Sequence, residues 1–137
     1  MRVIIFDNEA VQALASPDHP KHRKVLAHLH AVAFRRHKAR DVTLVVPTAV
    51  RVEAGLDRRQ PDAATINRFR IVDDPLATTE ANVAAALIRS GAATSVADAH
   101  VGAAALSSTP GEVVVLTSDP RDIARACAPL PVRVVTL

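Results

Sequence analysis

The chain has 137 residues, of which 49% are hydrophobic, enough to bury one compact core and to predict a single domain over residues 1–137. Its 17 Lys and Arg against 14 Asp and Glu give a formal charge of +3, which permits a polyanionic partner without demanding one. With no Trp, no Tyr and only three Phe, the chain lacks the aromatic platforms on which many RNA-binding domains stack bases.

Cysteine content and hydropathy point to a reducing compartment. Cys127 is the only cysteine, which excludes an internal disulfide and a thiolate zinc site. No apolar run reaches the roughly 18 residues of a membrane span, and the first apolar run ends at Asp7, too early for a signal-peptide core. We therefore expect a soluble, cytoplasmic protein with no membrane partner.

Runs rich in β-branched residues alternate with helical stretches along the whole chain. In chain order we predict a strand at 2–6, helices at 8–15 and 21–38, a strand at 43–46, helices at 48–56 and 63–68, a strand at 70–72, helices at 79–89 and 96–106, a strand at 113–116, a helix at 121–126 and a strand at 132–135. This order predicts an α/β fold with a mostly parallel central sheet flanked by helices.

Four acids lie just after predicted strands or within the predicted helices that pack on the sheet. Asp7 directly follows the first strand, and Asp119 follows the fourth strand after Thr117 and Ser118. Glu53 lies in the helix after the second strand, and Asp98 near the start of another helix. Because ligands bind beyond the carboxyl ends of parallel strands, Asp7 and Asp119 are placed at a binding edge.

Helix capping is the simplest alternative explanation for three of these acids. Asp7 precedes a predicted helix, Asp119 precedes Pro120, and Ser95 with Asp98 fits a capping box in which Asp98 reaches back to the Ser95 amide. Each pattern is common whatever the function of a protein.

Capping does not account for the apolar surroundings predicted for Glu53 and Asp98. The helical neighbours of Glu53 include Ala49, Val50 and Leu56, and Asp98 opens a helix of small apolar residues. Burying an unpaired carboxylate costs several kcal/mol, and a shared divalent cation removes that cost. Carboxylates favour Mg²⁺ or Mn²⁺, which can generate hydroxide from bound water and neutralise charge on a phosphodiester.

The order and spacing of these motifs resemble a known family. A hydrophobic strand ends in Asp (Val3-Ile4-Ile5-Phe6-Asp7), Glu lies in the next helix (Arg51-Val52-Glu53), Val-Ala-Asp-Ala opens an Ala-rich helix at Asp98, and a strand leads into Thr-Ser-Asp-Pro at Asp119. This arrangement resembles the PIN-domain ribonucleases, especially the VapC-type toxins of bacterial toxin–antitoxin modules, over nearly the whole chain.

The resemblance implies a PIN-like three-layer fold and a Mg²⁺- or Mn²⁺-dependent endoribonuclease. Asp7 and Asp98 would be the firmest metal ligands and Glu53 and Asp119 would complete the catalytic site. Asp122 would be an auxiliary acid, and a hydroxyl of Thr117 or Ser118 would orient the acids. The implied partners are RNA, a VapB-type antitoxin that blocks the site, and a second copy of the chain.

One position departs from the family pattern. Asn8 and Glu9 follow Asp7, where the family usually has a small hydroxyl residue. This change puts the hydrogen bonds around the first acid in question and leaves the four carboxylates intact.

Other features have both a structural and a functional interpretation. The predicted second helix carries an apolar stripe, formed by Val25, Leu26, Leu29, Val32 and Ala33. Phe34 lies off this stripe and is either an anchor for the antitoxin or a contact with a loop. The helix ends in a basic run, Arg35, Arg36, Lys38 and Arg40, which is either a solvated face or a contact with RNA. His19, His22, His28 and His30 raise the alternative of a zinc site, and histidines in general that of a metal-independent nuclease; His100 is more simply a hydrogen-bonded helix residue.

Other enzyme classes fit less well. A haloacid dehalogenase-type phosphotransferase needs Asp where Glu9 stands, and a receiver domain needs a late Lys, whereas Lys21, Lys24 and Lys38 all come early. A housekeeping nuclease and a catalytically silent PIN-like binding module remain the alternatives to a toxin.

Overall fold

The structure is a computed structural model that describes residues 2–39, 41–109 and 111–137, with residues 35–39 described by their backbone alone. In chain order its elements are β1 (Arg2–Phe6), α1 (Asn8–Ala15), α2 (His22–Ala39), β2 (Val42–Pro47), α3 (Thr48–Ala54), a 3-10 turn (Pro61–Ala63), α4 (Ala64–Arg68), β3 (Val72–Asp74), α5 (Thr78–Arg89), α6 (Val96–Ser108), β4 (Glu112–Thr117), α7 (Pro120–Cys127) and β5 (Val132–Thr136). None of the helices in these ranges is both long and apolar enough to cross a membrane.

The five strands form one parallel sheet in the order β3-β2-β1-β4-β5. Helices flank this sheet, so the predicted α/β class with a parallel central sheet is confirmed and the architecture is consistent with a PIN-like three-layer fold. The middle strand, β1, pairs with β2 on one side and β4 on the other, and its residues from Val3 to Phe6 are buried. The sheet centre is therefore the core of the molecule.

A second, smaller core holds the helices α5, α6 and α7 together. It consists of alanines, Ala84, Ala93, Ala99, Ala103 and Ala126, and small side chains let helix axes approach closely. At Gly102 the approach is close enough to favour glycine, because a Cβ atom there would lie 2.6 Å from the carbonyl oxygen of Ala126. The Ala-rich sequence of α6 is thus a packing requirement, and it fixes the helix that carries Asp98.

Four of the predicted strands are observed within one residue of their expected bounds, whereas the third, predicted at 70–72, lies two residues later at 72–74. β3 begins at Val72, because the preceding residues close helix α4. Arg70 adopts a left-handed conformation with φ of 56°, and the amides of Arg70 and Ile71 donate to the carbonyls of Asn67 and Ile66. These are the two bonds of a Schellman motif, which usually has glycine at the left-handed position.

Helix α3 is shorter than predicted for a related reason. It ends at Ala54, and Gly55 follows with φ of 67°. The Leu56 amide then bonds back to Arg51 O, so that Leu56 lies outside the helix but inside the core. The chain turns away immediately after Glu53 and leaves that residue in the last turn.

The apolar stripe of α2 is mostly confirmed. Val25, Leu29 and Val32 are buried, and Leu26 packs against the core as a partly buried residue. Ala33 was assigned to this stripe, which was wrong, because it is exposed. Phe34 lies off the stripe and is 63% exposed, as expected. The basic run Arg35, Arg36, Lys38 and Arg40 lies outside the side chains that the structure describes.

Two arginines hold the edge strand β3. Arg51 Nη1 lies 2.7 Å from Asp73 Oδ2 and Arg58 Nη2 lies 2.9 Å from Asp73 Oδ1. Arg58 also donates to the Asn67 side chain. Because β3 has three residues and, among the described strands, pairs with β2 alone, these side-chain contacts supplement its short hydrogen-bonded ladder.

Candidate functional site

Parallel pairing of β1 with β4 brings Asp7 and Asp119 to one edge of the sheet. Phe6 is in register with Leu116, and the Asp7 amide donates to Leu116 O at 3.1 Å. Asp119 follows β4 after one residue, Ser118. The two acids therefore lie at the carboxyl ends of neighbouring strands, as the sequence predicted.

Thr117, the last residue of β4, connects these two acids. Its side chain is buried, its hydroxyl donates to Asp7 Oδ2 at 2.7 Å, and the same oxygen accepts the Asp119 amide at 2.9 Å. The other carboxylate oxygen of Asp7 accepts the Asn8 amide at 2.8 Å. Asp7 is thus fixed in orientation on both oxygens.

An open cleft of about 220 Å³ lies at this edge, and we call it the acidic cleft. It is lined by all four predicted acids and by four polar neighbours: Asp7, Asn8, Glu9, Glu53, Ser95, Asp98, Ser118 and Asp119. All four acids belong to the described residues, yet no three of them place oxygens within 4.8 Å of one another. The acids share one cleft, and side-chain rotation is needed before they share one ion.

Burial and the closeness of neighbouring carboxylates raise the pKa values of two acids of the acidic cleft, Asp98 and Asp7. Burial raises the pKa of Asp98 to about 6, with further contributions from the charges of Asp7, Asp122 and Asp119. Burial also raises the pKa of Asp7, and the nearby carboxylates of Glu53 and Asp119 add to this against the opposing bonds from Thr117 and Asn8. Each shift means that ionising these acids together is unfavourable without a cation.

Asp122, the predicted auxiliary acid, lies next to the acidic cleft in the first turn of α7. Its hydrogen bond with Asp119 is the main cause of a raised pKa of Asp119, followed by burial and by the charge of Asp122. Arg125 Nη1 lies 3.9 Å from Asp122 Oδ1. Asp122 therefore acts on the cleft through Asp119 and through its charge on Asp98.

The expectation that Glu53 points into an apolar interior was wrong. Glu53 is exposed, and its neighbour Val52 is 81% exposed, because α3 buries Val50 instead. Glu53 Oε1 accepts a hydrogen bond of 2.6 Å from the Asn8 amide group. Asn8, the departure from the family pattern, thus holds Glu53 at the cleft while Thr117 holds Asp7.

Capping explains the four acids only in part. Asp7 does cap α1 through its bond from the Asn8 amide, and Ser95 accepts the Asp98 amide at the start of α6. Asp119 occupies the N-cap position of α7, but within the described part of the chain its side chain caps no amide. The Asp122 amide nevertheless interacts with the Asp119 carboxylate and opposes the rise in its pKa, so capping accounts for part of the position of Asp119.

The early histidines that raised the alternative of a zinc site are dispersed. His19 pairs with Glu9 at 3.0 Å, the His22 ring lies 2.7 Å from Ala13 O, and the His30 ring packs on Phe69. Among the described residues, these side chains form no group able to share an ion. The zinc alternative from the early histidines is therefore not supported.

Sequence reasoning missed a second polar cluster, formed by Asp74, Glu80 and His100. One ligand atom of each residue lies within 4.8 Å of the others, and His100 is fully buried. The three residues end β3, begin α5 and lie inside α6, so their sequence spacing carries no signal. The polar residue within the apolar α6 sequence was the available hint, and His100 is hydrogen-bonded, as expected.

Comparison with known proteins adds no assignment. A scan against protein-family models finds no matching family for this chain, and a search of curated proteins finds no significant match.

Proposed function

We propose that this chain is a metal-dependent endoribonuclease of the PIN-domain type that hydrolyses RNA phosphodiester bonds. The observation that supports it most is the meeting of Asp7, Glu53, Asp98 and Asp119 in one open cleft at the carboxyl edge of a parallel sheet. These acids come from four separate segments of the chain. An arrangement that concentrates negative charge this way costs stability and calls for a functional explanation.

The donor set suits Mg²⁺ or Mn²⁺. All four candidate ligands are carboxylates, the oxygen donors that hard divalent ions prefer, and the raised pKa values of Asp7 and Asp98 reflect a need for positive charge. Asp7 and Asp98 would hold the ion, with Glu53 and Asp119 completing the site directly or through water. When bound, such an ion supplies an acidified water and positive charge beside the phosphate.

The remaining polar residues have positioning roles in this proposal. Thr117 fixes the rotamer of Asp7, and Asn8 restrains the longer side chain of Glu53. The cleft is open to solvent, so a polymer can enter without threading. Without a bound cation the four carboxylates repel a phosphodiester, so that substrate binding depends on ion binding.

The resemblance extends the proposal to a toxin of a toxin–antitoxin module. In that role the protein is cytoplasmic, forms a homodimer and is neutralised by a VapB-type antitoxin that covers the acidic cleft. A short neighbouring reading frame encoding a DNA-binding protein supports the toxin role, and so does relief of growth arrest when both genes are expressed. Absence of such a gene favours a housekeeping nuclease.

Cleavage assays on purified protein test the nuclease proposal directly. We expect cleavage of RNA with Mg²⁺ or Mn²⁺, none in EDTA, and none from Asp98→Asn. The matched control is Asp62→Asn, which removes an exposed carboxylate of the 3-10 turn and should leave cleavage unchanged. Cleavage that persists in EDTA contradicts the metal mechanism and supports a histidine-based one.

A catalytically silent binding module makes a different prediction in the same assay. It shows no cleavage with either ion, while Asp98→Asn and the unmodified protein bind a partner equally well. If cleavage is found, mapping RNA ends in cells that express the protein identifies the substrate among transfer, ribosomal and messenger RNA.

A further inference from the structure

The His100 ring connects three parts of the fold. It lies in α6, two residues after Asp98, and is fully buried. Its Nδ1 accepts the Ala49 amide, in the first turn of α3, at 3.3 Å. Its Nε2 lies 3.1 Å from Glu80 Oε2 and 3.5 Å from Asp74 Oδ2. One imidazole therefore contacts α3, the end of β3 and the start of α5.

The Ala49 contact determines where the ring carries its proton. A ring nitrogen that accepts a hydrogen bond has no proton of its own, so a neutral His100 carries its proton on Nε2. This proton is donated to Glu80. A cation on Nε2 would require the opposite tautomer, in which the Nδ1 proton faces the Ala49 amide proton.

A second proton is implied between the carboxyl groups of Glu80 and Asp74. Asp74 Oδ2 is buried and makes no hydrogen bond of good geometry within the described residues, although His100 Nε2 lies 3.5 Å away. Burial, then the hydrogen bond and the charge of Asp74, raise the pKa of Glu80 to about 7. Burial opposes ionisation of Asp74, but the proximity of His100 and Glu80 outweighs burial and lowers the pKa of Asp74. Below about pH 7 Glu80 is therefore a carboxylic acid beside Asp74, close enough for a small adjustment to let its hydroxyl donate to Asp74.

We propose that Asp74, Glu80 and His100 form a polar triad that positions α3 against α6 and thereby sets the separation of Glu53 and Asp98 across the acidic cleft. This inference rests on the nuclease proposal only in that the acidic cleft is taken as the catalytic site. None of the three residues lines this cleft, so they are positioning residues and not catalytic ones.

The start of α3 is well placed to transmit such an effect. Ala49 and Glu53 lie one helical turn apart in a helix of seven residues. Beside Ala49, the Thr48 hydroxyl oxygen accepts the Leu76 amide at 3.1 Å, which fixes the same helix start to the loop before α5. Movement of Ala49 away from His100 therefore moves Glu53.

The matched variants Glu80→Gln and Glu80→Ala test the proposal. A glutamine reproduces the neutral carboxyl group, because its carbonyl accepts from His100 Nε2 and its amide donates to Asp74. In Glu80→Gln we expect two quantities to stay within about twofold of their values in the unmodified protein: the hydrogen-exchange rate of the Ala49 amide and the Mn²⁺ concentration for half-maximal RNA cleavage. Both should rise about fivefold or more in Glu80→Ala, as expected for a lost hydrogen-bond network.

Nitrogen NMR of the His100 ring in the unmodified protein provides the second measurement. We expect Nε2 protonated and Nδ1 unprotonated, in buffer with or without Zn²⁺ or Mn²⁺. A protonated Nδ1, or loss of the Nε2 proton on adding either ion, overturns the proposal in favour of a metal site at this cluster. Glu80→Gln behaving like Glu80→Ala overturns it as well.

The two proposals fail in distinguishable ways. If the protein cleaves no RNA, the nuclease proposal fails, while Ala49 exchange and the His100 tautomer still decide whether the triad positions α3. If cleavage is found and Ala49 exchange is the same in all three proteins, the triad proposal fails alone.

Discussion

Thr117 Oγ1 lies 2.7 Å from Asp7 Oδ2, although the two residues are 110 positions apart in the chain. The contact joins the ends of two neighbouring strands, and the same oxygen accepts the Asp119 amide. One buried hydroxyl thus sets the orientation of one acid and the backbone position of another.

Replacing Thr117 by valine should lower both the stability of the protein and its affinity for Mn²⁺, because valine has nearly the same shape as threonine but no hydroxyl group. Thr117→Val leaves Asp7 Oδ2 and the Asp119 amide without their partner, which costs about 1–3 kcal/mol of unfolding free energy. Loss of that donor also raises the pKa of Asp7 further and weakens Mn²⁺ binding. Urea denaturation and calorimetric Mn²⁺ titration measure the two effects. Thr117→Ser keeps the hydroxyl and should retain most of both; equal losses in the two variants contradict this role.

Asp98→Asn should stabilise the metal-free protein at neutral and alkaline pH. The pKa of Asp98 is raised to about 6 in the folded state, so the stability associated with its proton is present below about pH 4 and is lost as the pH rises through about 6. Thermal denaturation in EDTA from about pH 4 to pH 8 should show a higher Tm for Asp98→Asn at the upper end only. A lower Tm at pH 8 contradicts the prediction, and Asp62→Asn controls for removal of one charge.

Asn8→Ala should weaken metal binding modestly. The side-chain Nδ2 of Asn8 restrains Glu53 through a hydrogen bond of 2.6 Å at an exposed position. Such a hydrogen bond contributes about 0.5–1.5 kcal/mol. The Mn²⁺ concentration for half-maximal cleavage should therefore rise about two- to tenfold. Asn82→Ala, an exposed substitution in α5, is the matched control. No change in Asn8→Ala means that Glu53 needs no restraint.

Gly102→Ala should destabilise the protein, against the usual trend in helices. Ala is favoured over Gly in a helix interior by about 1 kcal/mol. Here the added Cβ would lie 2.6 Å from Ala126 O and 2.7 Å from a methyl of Leu87, so α6 and α7 must separate. Overpacking of this kind costs about 1–3 kcal/mol. Urea denaturation measures the sign, with Ser107→Ala in the same helix as control; a gain in stability shows that the helices separate at no cost.

The sequence was sufficient for the placement of Asp7 and Asp119, because residues at the carboxyl ends of adjacent parallel strands must share an edge. It was also sufficient for α6, whose small residues predicted burial on nearly all sides. It failed for β3, because an arginine in a left-handed conformation closes α4 where periodicity indicated a strand. The side that Glu53 faces could not be read from neighbours alone, since α3 ends one residue later.

The Asp74, Glu80 and His100 cluster shows a different limit. Glu80 and His100 are 20 residues apart on two helices, and Asp74 belongs to a third element. Each residue alone has an ordinary explanation: an acid at a strand end, an acid in a first helical turn and a polar residue in a helix. The packing of α6 against α5 and α3 brings them together, and no pattern in the chain encodes that distance.

The edge strand β3 also bears on how the protein behaves at high concentration. An exposed strand edge is a template for association with other chains, and short strands with charged residues resist it. β3 has three residues, two of them Asp73 and Asp74, and Arg51 and Arg58 occupy Asp73. A strand added here would gain a ladder of only three residues beside two negatively charged side chains. This edge is therefore protected against sheet extension and amyloid-like aggregation.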